Sequence, residues 1–420
     1  MDKKIELKHI MNVFIFIYFS YCMYHLYINE QKFQWDFHMQ YHSAEIFSEG
    51  GNPYNSEILK KVTGNSLWYA YPPATLFFYR IFTAADYSNA YRIFLSLKIV
   101  ILILLVILWR KTFLSEKSGY DLYLFIILSF NSTIFLDMRA GNINMLEEMM
   151  IWLAFYFYLN HKYFLFCVFI LLSASFKMTP VVFIALILCT NYKNKYFLFA
   201  NSAIAFLGYL VIQYAISPPM FLSFVKGANA TLVEGGIISP STISIIYNIC
   251  NLLSRESGLP IPGYVPALIF TFVAFWILFF SAKSYILLRI NRETENEKII
   301  LFLACLVYAL LHPRMKDYAY MLLIVPSYYI INKTTYQKTY FFLFFASICS
   351  AENITLPGLS TVYFIIWSHY PLIIAYLIWG LYIFEISSQS RFIGPMAFVE
   401  SPEKQPLISQ GSLSHQHSRA

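Results

Sequence analysis

Directly after Lys3, Lys4 and Lys8 the chain enters an apolar run, Ile10–Ile28, of 19 residues. That length fits the hydrocarbon core of a bilayer, which takes about 20 residues of helix to cross. In lipid every backbone N–H and C=O must be satisfied within the segment, so such a run folds as a helix. It exceeds a signal-peptide core and no small-residue cleavage pattern follows, so it reads as a retained first span. Similar runs recur at 88–109, 120–136, 143–159 and 163–176 and onward to 340–350, which gives about 12 spans. Composition agrees: 58% of residues are hydrophobic and 13% charged, against roughly 45–50% and ~25% in soluble domains. A soluble globular domain, a disordered chain, a coiled coil and a collagen are all excluded. The expected class is all-α, a polytopic integral membrane protein of about 12 transmembrane helices.

The net charge of +7 reports topology more than an acidic partner. Basic residues stay on the cytoplasmic side of spans. With the N-terminus inside, Arg110, Lys111, Lys117, Lys162, Lys193 and Lys195 fall on that side, as do Lys283, Arg289, Arg292, Lys298, Lys333 and Lys338. Arg391, Lys404 and Arg419 place the C-terminus there as well. Nothing points to nucleic acid. Cys22, Cys167, Cys189, Cys250, Cys305 and Cys349 occur singly in or beside apolar runs, a pattern of small apolar residues rather than a disulfide framework.

The chain divides into a cytoplasmic N-terminus (1–9), a membrane domain (10–386) and a polar, disordered tail (387–420). Two outer loops are long, 29–87 and 217–263. The first carries an interfacial helix, since Phe37, Tyr41, Ala44 and Phe47 recur at helical spacing until Gly50-Gly51 and Asn52-Pro53 stop it. A short apolar stretch, 74–83, follows and dips into the interface.

Charged and amide groups beside hydrocarbon are costly and mark function. Five clusters stand out, all expected on the outer face: Trp35-Asp36; Arg139 with Gly141-Asn142-Ile143-Asn144; Lys177-Met178-Thr179-Pro180; His312 to Tyr318; and Lys226 to Glu234. Each has a plainer reading. Asp36 can be a solvated loop carboxylate, Arg139, Lys177, Arg314 and Lys316 can snorkel to lipid phosphates, and Asn142 and Asn144 can cap or bridge helices. Convergence of one carboxylate with several cations favours a site that activates a hydroxyl and holds an anionic phosphate. The rival is a transporter or flippase of lipid-linked sugars, for which charges should line a path through the spans; no mid-span charges in matching halves are evident.

An ordered series of motifs resembles glycosyltransferase family 87. It comprises Asp36, Tyr41-His42-Ser43-Ala44, Gly51-Asn52-Pro53-Tyr54, Tyr71-Pro72-Pro73, the GNINML block 141–146, Phe176-Lys177-Met178-Thr179-Pro180 and a Pro-containing block within 311–326. Two positions depart from the family pattern: Asn142 stands where Gln is usual, and Arg314-Met315-Lys316-Asp317-Tyr318 replaces a Trp-Asp-His-like element. The resemblance implies a class C glycosyltransferase of the cell membrane, similar to mannosyltransferases that extend phosphatidylinositol mannosides and to arabinofuranosyltransferases. The donor would be a polyprenyl-phosphate sugar, with mannose first among candidates. The acceptor would be a lipid or glycan on the outer face, and Asp36 the catalytic base.

The chemistry of the groups fits that expectation. A sugar hydroxyl needs a carboxylate to take its proton, the part of Asp36. A polyprenyl phosphate leaves as an anion and needs cations, for which Lys177, Arg139, Arg314 and Lys316 are the candidates. Tyr41, Tyr71, Asn142, Asn144 and His312 are candidates for holding substrate. A single base without a second nucleophilic carboxylate matches direct, inverting displacement. No cofactor is expected, and no sequence-local ligand set supports a divalent ion. Glu147 or Glu148 could serve as a buried partner of Lys177.

Overall fold

The structure is a computed structural model that describes residues 3–29, 32–64, 69–114, 119–230, 239–291, 295–334, 336–349 and 361–392. Regular structure among the described residues is helical throughout, with no strand. The helices are α1 (Lys3–Ile28), α2 (Trp35–Ser48), α3 (Ser56–Thr63), α4 (Ala74–Arg80), α5 (Tyr87–Leu108), α6 (Tyr120–Ala140), α7 (Asn144–Leu159) and α8 (Tyr163–Phe176). After a 3-10 segment, Thr179–Cys189, come α9 (Lys195–Ile216), α10 (Pro218–Ala230), α11 (Thr242–Ser257), α12 (Val265–Asn291) and α13 (Asn296–Leu311). A further 3-10 turn, Asp317–Leu323, leads into α14 (Ile324–Lys333), α15 (Gln337–Ile348), α16 (Thr361–Ser368) and α17 (Tyr370–Phe392).

Among the described residues, six helical segments are long and apolar enough to cross a bilayer: Ile10–Ile28, Tyr87–Phe113, Tyr120–Ala140, Lys195–Ile216, Val265–Ile290 and Tyr370–Ser388. The larger expected number counts shorter helices such as α7, α8 and α13. Those shorter helices form the interior. Ile300, Leu301, Phe302, Leu303, Cys305, Leu306, Ala309 and Leu310 are buried around most of the circumference of α13, beside Tyr320 to Val325. A helix apolar all round belongs in a core. By contrast α9 keeps only Ser202 and Gln213 buried, and it exposes Phe197, Leu207 and Val211. Exposed apolar surface of this kind suits lipid contact.

The helix expected in the first long loop is α2. Its Phe37, Tyr41 and Ala44 are buried against protein, with Phe37 stacked on Phe94 of α5 at 4.5 Å. The apolar face therefore packs on the bundle. α6 continues four residues past its expected end at 136, and it contains left-handed backbone at Phe130, Asn131 and Ser132 (φ 51, 59 and 56). α1 begins inside the expected 1–9 terminus and α17 runs past the 387 boundary. The rest of the tail, 393–420, lies outside the described residues, as does 231–234 of the Lys226 to Glu234 cluster.

Candidate active site

Gly141 sets the geometry from which the site is built. It ends α6 in the left-handed region (φ +68) and its N–H donates to the Asp137 carbonyl at 3.1 Å. A Cβ added there would stand 2.7 Å from Cβ of Gln34 and 2.9 Å from Cβ of Phe37. Only glycine combines this φ with so close an approach. The start of α2 consequently lies directly on the 141–144 turn, fixed also by Gln34 N–H donating to the Arg139 carbonyl at 2.6 Å.

That contact brings Asp36 to Asn142. The Asn142 Nδ2 donates to Asp36 Oδ2 at 2.6 Å, and it lies 2.5 Å from the Tyr71 hydroxyl and 3.0 Å from the Tyr318 hydroxyl. Asn142 Oδ1 accepts from Asn144 N–H at 3.0 Å, which fixes which end of the amide faces the carboxylate. Two amide hydrogens face three oxygens, and the Tyr71 and Tyr318 hydroxyls each carry a further hydrogen that they can donate. Asp36 is half-buried. Burial pushes its pKa up, while the Asn142 hydrogen bond and the charges of Lys316, Lys177 and Lys98 pull it down. Burial beside Asp36 pushes the Tyr71 phenol up too, so it stays protonated.

The second part of the site is cationic. Lys177 Nζ donates to Asn144 Oδ1 at 2.9 Å, pairs with Glu147 Oε2 at 3.0 Å and lies 5.3 Å above the Tyr318 ring. Asn144 Nδ2 donates to the Tyr318 carbonyl at 3.2 Å. Tyr318 thus connects the carboxylate end to the lysine end. His312 lies close to Lys177 and Arg314, and its Nδ1 accepts from Arg314 N–H at 3.1 Å. Burial and those two cations lower its pKa to about 4, so the ring is neutral. Arg314 and Lys316 follow on the same turn, with Lys316 acting on Asp36 and Arg314 on Tyr71.

Thus Asp36, Tyr71, Asn142, Asn144, Lys177, His312, Arg314 and Lys316 converge, and Glu147 is the carboxylate partner of Lys177. Two candidates sit elsewhere. Tyr41 donates to the Ala85 carbonyl at 2.8 Å and packs on Phe37 and Tyr87, with its pKa pushed up to about 12 by burial and Glu45. The Arg139 guanidinium lies 5.7 Å from the rings of both Phe33 and Trp35, where it braces the entry to α2.

Three residues have no role in the sequence-based site. Tyr318 stands in the His312 to Tyr318 cluster without an assigned contact. Lys98, within the 88–109 run, and Asp137 form a fully buried ion pair at 2.7 Å. The signal was a lysine in the middle of an apolar run, which seldom occurs without a role. Among the described residues no three His, Cys, Asp or Glu side chains converge at metal-binding distance. A carboxylate and a bank of cations, one buried turn apart, can deprotonate a hydroxyl and hold a phosphate. A comparison with curated proteins returns no match. The family model of glycosyltransferase family 87, in contrast, matches residues 69–313, more than half of the chain. The chain therefore belongs to glycosyltransferase family 87 and is a membrane glycosyltransferase.

Proposed function

We propose that the protein transfers a sugar, with mannose as the first candidate, from a polyprenyl-phosphate donor to a hydroxyl of a lipid or glycan acceptor. The observation that carries this reading is the Asp36–Asn142 contact at 2.6 Å beside Lys177 and Lys316. Asp36 takes the acceptor proton as its oxygen attacks the anomeric carbon. The C–O bond to the carrier phosphate breaks on the opposite face, which inverts the centre. Lys177, Arg314 and Lys316 receive the phosphate as it leaves, and an anionic leaving group of this kind needs charge more than a proton. Tyr71, Asn144 and His312 line the space between. The site faces away from the cytoplasm in this reading, where lipid-linked donors are used.

Transport of a lipid-linked sugar would call for charge along a path through the spans. Lys98 is the mid-span cation, yet it is paired with Asp137 and bonded to backbone, an arrangement that suits support of the site. The test is transfer in proteoliposomes with polyprenyl-phosphate mannose, other polyprenyl-phosphate sugars and a glycolipid extract as acceptor. Turnover by the wild type, lost in Asp36→Asn with expression intact, supports the proposal. Turnover by the Asp36→Asn variant at the wild-type rate overturns it.

A further inference from the structure

Lys98 lies near the middle of α5, and both it and Asp137 are completely buried. Placing an ion pair in the interior is expensive, because desolvation consumes most of the attraction, and well-packed apolar residues do as well or better for stability. A buried pair is therefore weak evidence for a stabilising role, and its hydrogen bonds show more. Lys98 Nζ donates to the Asp137 carbonyl at 2.6 Å and to the Asn142 carbonyl at 2.8 Å, besides pairing with Asp137 Oδ2 at 2.7 Å. The two carbonyls stand at either side of Gly141, on the last turn of α6 and on the turn beyond it. The ammonium thus closes the 137–142 segment from beneath. The side chain of Asn142, directly above, holds Asp36. Neither Asp137 carboxylate oxygen has a hydrogen-bond partner among the described residues, so what the carboxylate offers there is its ion pair with Lys98.

We propose that Lys98, with Asp137 as its counter-charge, is a positioning residue that fixes the backbone of Asn142 and through it the orientation of the Asp36 carboxylate. This rests on the reading of Asp36 as the base. The contact with the Asn142 carbonyl does the positioning, and Asp137 makes a buried ammonium tolerable at that depth.

The test compares two double variants of the full-length protein, each free of an orphaned buried charge. Lys98→Met/Asp137→Leu removes the charges and the donor to Asn142. Lys98→Gln/Asp137→Asn removes the charges and keeps an amide donor. Two readouts are taken: kcat and KM for polyprenyl-phosphate mannose, and the pH dependence of Asp36 labelling by a hydrophobic carbodiimide, followed by peptide mass spectrometry. The Met/Leu variant is expected to fold with an unchanged melting midpoint. It loses about ten- to hundredfold in kcat at constant KM, as misplacement of a reacting group does. Its Asp36 labelling midpoint moves to higher pH, because a loosened amide no longer favours the ionised carboxylate. The Gln/Asn variant is expected to stay close to wild type on both readouts. Equal behaviour of the two variants, or an unmoved labelling midpoint in Met/Leu, overturns the proposal. If the wild type turns over no polyprenyl-phosphate sugar while the labelling midpoint still moves, the donor reading fails and the positioning role stands.

Discussion

Glu147 holds the Lys177 ammonium at 3.0 Å from within the bundle, with 5% of its own side chain exposed against 23% for the lysine. The carboxylate anchors the cation, whose Nζ also contacts Asn144 and the Tyr318 ring. A pre-oriented cation binds phosphate without first losing rotamer freedom.

Replacing Lys177 by Met alone should be the more damaging change to folding. It strands Glu147 as a buried charge, which costs about 3–5 kcal/mol in closed sites, with the lower end expected here because the lysine is partly exposed. The double variant Lys177→Met/Glu147→Gln should recover most of that loss in a thermal melt. It should still raise KM for the donor by about ten- to hundredfold, the worth of a charge-assisted contact. A double variant with wild-type KM would remove Lys177 from the phosphate site.

Asp36→Asn should separate activity from stability. Loss of a positioned base lowers kcat by about 10²–10⁴-fold. The folded-state pKa of Asp36 is raised by burial, so ionising the group costs the folded protein more than the unfolded chain. Stability tied to this group is present at low pH and lost as pH rises through the folded pKa. The amide keeps an acceptor for Asn142 and never ionises, so the variant should melt higher than wild type at pH 7 and converge with it in acid.

The pH profile of turnover follows from the same groups. Asp36 must be ionised to act, so the rate should fall as pH drops through its raised pKa, above the ordinary carboxylate range. Lys316 favours the ionised form, and Lys316→Met should shift this acid limb to higher pH. His312, lowered to about 4, is already neutral there, so His312→Gln should leave the limb in place. Its effect belongs to stability. The unfolded chain takes up the histidine proton near 6.5 and the folded chain only near 4, so stability is lost as pH falls across that window. Melts of His312→Gln should show a shallower loss between those values.

Helical membrane architecture was legible because apolar runs of bilayer length have one solution in lipid. The Asp36, Tyr71, Asn142 and Lys177 elements were legible because their order along the chain is specific, even though Asp36 and Asn142 are 106 positions apart. Periodicity could not separate Tyr41, which is fixed to the Ala85 carbonyl, from Tyr71, which reaches Asn142: both are tyrosines near turns in one loop. Arg139 read as a phosphate ligand because a cation beside GNIN invites it, whereas its stacking partners, Phe33 and Trp35, come from another segment of chain. The reversal at Phe130–Ser132 has no Gly or Pro to announce it. The Lys98–Asp137 pair needed two helices to be docked before either charge had a meaning.

Gly141→Ala should test whether the α6–α2 contact sets the position of Asp36. A left-handed Ala costs roughly 1–2 kcal/mol wherever it stands. At Gly258, also left-handed (φ +69), an added Cβ meets nothing within 4 Å, so Gly258→Ala measures that backbone cost alone. At Gly141 the methyl also collides with the Cβ atoms of Gln34 and Phe37, which are not flexible chain ends and can yield only by moving α2. Gly141→Ala should therefore be destabilised beyond Gly258→Ala in parallel melts. Among molecules that remain folded, it should also lose about 10²-fold in kcat, since a displacement of about 1 Å at the base is enough for that. Gly258→Ala should keep wild-type kcat. Equal kcat in the two variants would show that Asp36 keeps its place without the close approach at Gly141.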